Sequence, residues 1–190
     1  EDWTINQKNL YSQILNKDNY TVAIESIKSN SGSKTAGVDG ETLESWLEKF
    51  DYNKIVYRLS NFKPMTVRRV DIPKSNGKTR PLGIPSIEDR IIQMMFKIVL
   101  ENILEPVFHP HSFGFRPNRS AENAIAQVNA YMNLGKMHYS VDIDIESFFD
   151  NINHDWIMKF ISSRITDNSV LRLVEKMLKA GILKNGEFYV

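Results

Sequence analysis

Apolar and polar positions along this chain switch period several times, and each switch marks an element. The first 60 residues read as helices separated by the polar break Ser29-Asn30-Ser31-Gly32-Ser33-Lys34 and the turn-rich Ala36-Gly37-Val38-Asp39-Gly40. Thr42 then fits an N-cap with Glu44 and Ser45 in the first turn, and Leu43, Trp46, Leu47 and Phe50 recur at helical spacing as a core face. From 65 to 84 the period shortens. A β-branched run, Met65 to Ile72, and a second run, Lys78 to Ile84, flank Asn76-Gly77, whose tolerance of positive φ predicts a tight hairpin turn. Pro81 confines the second arm to an edge, because proline cannot donate to a ladder.

Ser86-Ile87-Glu88-Asp89 predicts a capped helix start, and the apolar residues from Ile91 to Leu104 cover most of a helical circumference before Pro106, so this helix is expected to be central and buried. Ser120 and Glu122 open another helix through Ile125, Val128, Tyr131 and Leu134, ending at Gly135. Residues His109 to Asn118 form a turn-rich aromatic connection between them. The alternation His138 to Asp144 predicts a strand with Asp142 and Asp144 on one face and Val141 and Ile143 on the other. Helices over about 154–163 and 168–180 follow, with Gly181 as terminator and Glu187-Phe188-Tyr189-Val190 as an incipient strand.

Composition narrows the class. The chain has 190 residues, 42% hydrophobic and 25% charged, with no cysteine and a formal charge of +1, which excludes a disordered tail, a disulfide scaffold and cysteine-ligated zinc. The four histidines have no zinc spacing. An acidic start without an apolar run, and no stretch near the ~20 apolar residues of a membrane span, lead us to expect a cytoplasmic protein without membrane attachment. The near-neutral total hides a basic segment: Lys63, Arg68, Arg69, Lys74, Lys78 and Arg80 against Asp71 alone, which suits a phosphate-rich ligand or a solvated charged hairpin. Aspartates at a strand end, as in Asp142-Ile143-Asp144, suit either a hard cation such as Mg²⁺ or a helix cap. Lys74 as a point charge and Arg80 as a bidentate fork suit a triphosphate beside it.

Five blocks together resemble one family: Gly37-Val38-Asp39-Gly40; Arg68 to Lys74 with Gly77 to Pro85; Asp89-Arg90 with Gln93; Ser112 to Pro117 with Arg119-Ser120; and Asp144-Ile145 with Phe148 to His154. In this order, over nearly the whole chain, they resemble the reverse transcriptase domain of group II intron-encoded proteins, the maturases. The resemblance implies an α+β right-hand polymerase fold, with residues 1–85 as fingers carrying an N-terminal helical extension and the 65–84 hairpin. Residues 86–190 would form the fingers–palm helices and first part of the palm.

It also implies roles. Asp144 matches the first catalytic aspartate, and Ile145 would offer its carbonyl to the same metal, one of two Mg²⁺ ions that activate the primer 3′-hydroxyl and stabilise the leaving pyrophosphate. Lys74, Arg80 and, more weakly, Arg68 match cations that hold the incoming dNTP. Phe149 matches the gate that excludes a ribose 2′-hydroxyl, with Phe148 beside it as the alternative. Arg69, Lys78, Arg116 and Arg119 are candidates for the nucleic-acid backbone, and Asp142 and Asp150 are read as structural. The implied partners are an RNA template with DNA primer, dNTP and group II intron RNA, whose splicing the protein would assist. The apolar helix 87–104 leaves a homodimer open.

One departure bears on activity. The family's Tyr/Phe-x-Asp-Asp block is absent, and no Asp-Asp pair occurs in these residues, so the 190-residue piece alone is expected to be inactive. The competing readings are a non-catalytic RNA-binding maturase module, a retron-type or other bacterial reverse transcriptase, and a glycosyltransferase using Asp142-x-Asp144. The last explains none of the other blocks.

Overall fold

The helix predicted after Ser86 is the axis of the molecule. The computed structural model describes residues 9–49, 51–73, 75, 77–135, 137–184 and 186–189. In chain order the helices are α1 (Leu10–Ile14), α2 (Lys17–Lys28), α3 (Leu43–Leu47), α4 (Tyr52–Ser60), α5 (Ile87–Leu104), α6 (Ala121–Leu134), α7 (His154–Ser162) and α8 (Asn168–Leu178). The strands are β1 (Val67–Pro73), β2 (Thr79–Ile84), β3 (Ile182–Lys184) and β4 (Glu187–Tyr189). The Ser86 hydroxyl accepts the Asp89 N–H at 3.1 Å and fixes the start of α5. Ile87, Ile91, Ile92 and Met95 of α5 are fully buried, and Leu10, Ile14, Trp46, Ile55, Phe62, Ile165 and Val170 belong to the same cluster. The core therefore draws on both sides of residue 85.

Local chemistry sets the smaller elements. Thr42 and Ser45 form a reciprocal capping box on α3, which buries Leu43 and Trp46 but leaves Leu47 exposed; the predicted fourth member of that face, Phe50, lies outside the described residues. Asp167 caps α8 and also accepts the Tyr11 N–H at 3.0 Å, joining the two ends of the described chain.

The sheet among the described residues has the order β2-β1-β3-β4. β1 and β2 form the predicted hairpin, with Arg69 opposite Gly83 and Ile72 opposite Arg80, and Pro81 lies on an edge strand. β3 was not anticipated. It pairs in parallel with β1, Val67 to Ile182 and Arg68 to Leu183, and the Lys184 ammonium reaches Asp71 at 3.2 Å.

Two expectations need correction. Residues 137–145 form no strand: they have no ladder partner among the described residues, and Val141 and Ile143 are 81% and 83% exposed. Alternation supplies two faces, but an extended segment becomes a strand only when a neighbour takes its N–H and C=O groups. The face shared by Asp142 and Asp144 is thus not built here. α6 forms as predicted from Ser120 to Gly135, yet Ile125, Val128, Tyr131 and Leu134 are exposed. No helix among the described residues is long and apolar enough to cross a membrane.

Candidate functional site

The hairpin distributes its cations by strand parity. Successive residues face opposite sides and directly paired residues share one, so Arg68, Val70 and Ile72 lie on the face of Arg80, while Arg69 lies on the other. Arg80 and Lys78 are exposed. Lys74 and Asn76 lie outside the described residues, so the expected approach of Lys74 to Arg80 at the tip is not described; Gly77 has the predicted positive φ, 78°. Arg68 donates from Nη2 to the Ala36 carbonyl at 2.7 Å. Its Nε, like that of Arg69, is buried with no acceptor among the described residues.

The loop behind the hairpin is clamped. Gly37 lies so close to α5 that a Cβ there would meet the Ser86 Cα at 2.6 Å, and only glycine fits. Arg90, on the first turn of α5, donates to the carbonyls of Pro85 at 2.9 Å, Gly32 at 2.8 Å and Thr35 at 2.6 Å. Burial lowers the Arg90 pKa from its ordinary value. Asp89 accepts the Met65 N–H, and its own pKa is raised by burial. The sequence points to Asp89 as part of the helix cap and to Asp89-Arg90 as a family block, but not to these tertiary bonds. The polar pair Asp89-Arg90 inside an apolar helix was the available signal.

Asp144 lies in the exposed segment before a 3₁₀ turn, Phe148–Asn151. The Ser147 carbonyl accepts the N–H groups of Asp150 and Asn151 and the Asn151 side chain, at 3.0, 3.1 and 3.2 Å, which makes the turn tight. Asp150 then faces Arg69 of β1, with Oδ1 3.9 Å from Nη2. The basic hairpin and the turn that follows Asp144 are therefore neighbours. Phe149 is exposed and meets the ring of Phe115 edge-on, centroids 6.4 Å apart, and that of Phe148 at 5.4 Å.

The Asp144 carboxylate and Ile145 carbonyl are oxygen donors that suit a hard divalent cation. Among the described residues no three His, Cys, Asp or Glu side chains converge to hold a metal. Taken by themselves, these residues do not make a metal site.

Arg116 does not present its charge outward. Its side chain is 7% exposed and forks onto both Glu105 carboxylate oxygens, while Nη1 donates to the carbonyls of His109 and Ser112 at 2.7 and 2.9 Å. A nucleic-acid phosphate at Arg116, the contact expected from the sequence, would have to compete with these acceptors of its own loop. The same hydrogen bonds lower the Glu105 pKa. Arg119 is half-buried, donates to the Pro110 carbonyl at 2.7 Å and lies over the Phe113 ring.

Comparison with known proteins shows the family. The family described as reverse transcriptase (RNA-dependent DNA polymerase) matches residues 72–190. The chain is 38% identical over 183 residues to the group II intron-encoded protein LtrA of Lactococcus lactis, covering 95% of this chain and 30% of that protein. It is 35% identical over 179 residues to a putative COX1/OXI3 intron 1 protein of Saccharomyces cerevisiae, covering 92% and 21%. Maturase-like protein 1 of Euglena gracilis is 31% identical over 147 residues, covering 75% and 32%. The chain spans less than a third of the length of these relatives. It belongs to the reverse transcriptase family and is a homologue of the group II intron-encoded proteins.

Proposed function

We propose that this chain supplies the fingers and the first part of the palm of an RNA-directed DNA polymerase that also binds group II intron RNA and assists its splicing. The observation that carries the reading is the approach of Arg69 to Asp150, 3.9 Å, which sets a cationic hairpin beside the turn following Asp144. RNA binding alone uses cations but has no use for a carboxylate and an exposed phenylalanine next to them. In this reading Arg80, Lys74 and Arg68 hold the dNTP triphosphate, Phe149 restricts its sugar, and Lys78, Arg69 and Arg119 bear on the template–primer backbone. The Asp144 carboxylate and Ile145 carbonyl contribute to a Mg²⁺ site that further carboxylates must complete.

The test is primer extension on an RNA template by the whole protein containing this chain. We expect Asp144→Asn to abolish extension while leaving RNA affinity within about twofold, because removing a metal-facing charge does not weaken phosphate contacts. Extension by Asp144→Asn at the unsubstituted rate would overturn the polymerase reading in favour of an RNA-binding module. The 190 residues alone should bind RNA without extending a primer.

A further inference from the structure

The Phe-Gly-Phe-Arg-Pro block is prominent in the sequence, yet nothing above gives its exposed phenylalanine a task. Phe115 has φ 58°, in the left-handed region that a bulky aromatic residue rarely enters, and its side chain is 95% exposed. Both features are unfavourable, and neither is relieved by packing into the core. The loop nevertheless holds the conformation firmly. Arg116, the next residue, hangs it from Glu105 at the end of α5 and from the carbonyls of His109 and Ser112, and Arg119 closes its far side on Pro110. The result is one edge-to-face contact, the ring of Phe115 against that of Phe149 at 6.4 Å and 82°.

The opposite side of the Phe149 turn is tied to β1 by Asp150 and Arg69. Phe149 is 74% exposed, and besides Phe115 its ring meets only its chain neighbour Phe148, at 5.4 Å, among the aromatic rings of the described residues, so Phe115 is the one ring contact from another segment. We infer that Phe115 is a positioning residue for Phe149: its ring holds the Phe149 ring in the orientation that discriminates the sugar of the incoming nucleotide. The inference rests on the proposed polymerase function and deepens it, since a gate discriminates only if it does not swing aside.

The experiment uses the whole protein containing this chain and compares kcat/KM for dNTP and rNTP incorporation in Phe115→Ala, Phe115→Gly and Phe115→Tyr. Because Phe115 is exposed, these substitutions leave the core intact. The Ala and Gly variants should lose about three- to tenfold in the dNTP-over-rNTP ratio, chiefly through faster rNTP use, the factor that one aromatic pair supplies. Tyr should keep the unsubstituted ratio. In a Phe149→Ala background, Phe115→Ala should cause no further loss, because there is no gate ring left to hold.

Amide exchange at residues 149–151 is measured alongside and should quicken in Phe115→Ala. An unchanged sugar ratio overturns the inference, as does an equal loss in the Phe149→Ala background. If the unsubstituted protein incorporates neither sugar, the polymerase reading fails on its own. Exchange then decides the positioning role: faster exchange at 149–151 upholds it, and unchanged exchange ends it.

Discussion

Asp89, on the first turn of α5, accepts the backbone N–H of Met65 at 2.8 Å across 24 residues. The bond fastens the segment leading into the hairpin to the most buried helix of the molecule. The carboxylate is 2% exposed, so the charge it brings is poorly solvated.

A specific pH dependence results. Burial raises the Asp89 pKa above its unfolded value, so its contribution is fully present below the unfolded pKa and is lost as pH rises through the folded pKa. Asp89→Asn keeps a carbonyl for Met65 and removes this loss. Urea unfolding from pH 4 to 7 should show the stability difference moving steadily toward the variant as pH rises. Asp89→Ala, which leaves the N–H without its acceptor, should cost about 1–3 kcal/mol near pH 4, and the cost should shrink as pH rises in parallel with the Asn difference.

Much of the hairpin and α5 was legible because several local signals agreed. Ser86 caps, the following residues are apolar nearly all round, and Asn76-Gly77 separates the β-branched run 65–72 from a second run, 78–84. β3 was not legible, since three residues carry no period and the partner, Val67–Arg68, lies more than a hundred residues away. Residues 138–144 show the reverse failure: the alternation is present, but no neighbouring strand completes it among the described residues. Asp144 and Phe149 were picked out by family resemblance, and Arg80 by both resemblance and charge. The charge of Arg116 is visible in the sequence, whereas its capture by Glu105, eleven residues earlier, is a tertiary event that is not.

The Gly37 contact should be the most sensitive position of the opening loop. Gly37→Ala places a methyl 2.6 Å from the Ser86 Cα and 2.8 Å from the Pro85 carbonyl oxygen, both backbone atoms that cannot rotate away. We expect a loss of about 1–3 kcal/mol by thermal or urea unfolding, of the size seen for overpacking. Gly32→Ala, with nothing within 4 Å of the added carbon, should change stability by less than ~0.5 kcal/mol.

Arg116 should act on its loop and not on RNA. Arg116→Lys keeps the charge but cannot fork onto Glu105 while also reaching the carbonyls of His109 and Ser112. Exchange of the Ser112 amide, which donates to His109, should quicken by roughly tenfold, with RNA affinity nearly unchanged. Glu105 has its pKa lowered by these bonds, so the stabilisation is present above its unfolded pKa and is lost as pH falls through the folded one. Protection of the loop amides in the unsubstituted chain, measured against the intrinsic exchange rate at each pH, should therefore fall as pH drops below the ordinary glutamate range.

The two hairpin arginines on one face should separate by salt and by stability. Arg80 is exposed, so if it contacts a phosphate, Arg80→Ala should weaken RNA binding and reduce the slope of log K against log salt by about one unit without altering unfolding. Arg68 also holds the Ala36 carbonyl, so Arg68→Ala should lower both the slope and the stability, the latter by about 1 kcal/mol. The comparison is made with a structured group II intron RNA and an unrelated duplex of equal length across a salt series. A preference for the intron RNA that survives added salt would locate specific recognition in these 190 residues. Equal affinity for both RNAs, with the same steep slope, would reduce the hairpin to a general cation and assign intron recognition to the rest of the protein. An Arg80→Ala slope equal to that of the unsubstituted chain would show that the exposed arm does not meet phosphate at all.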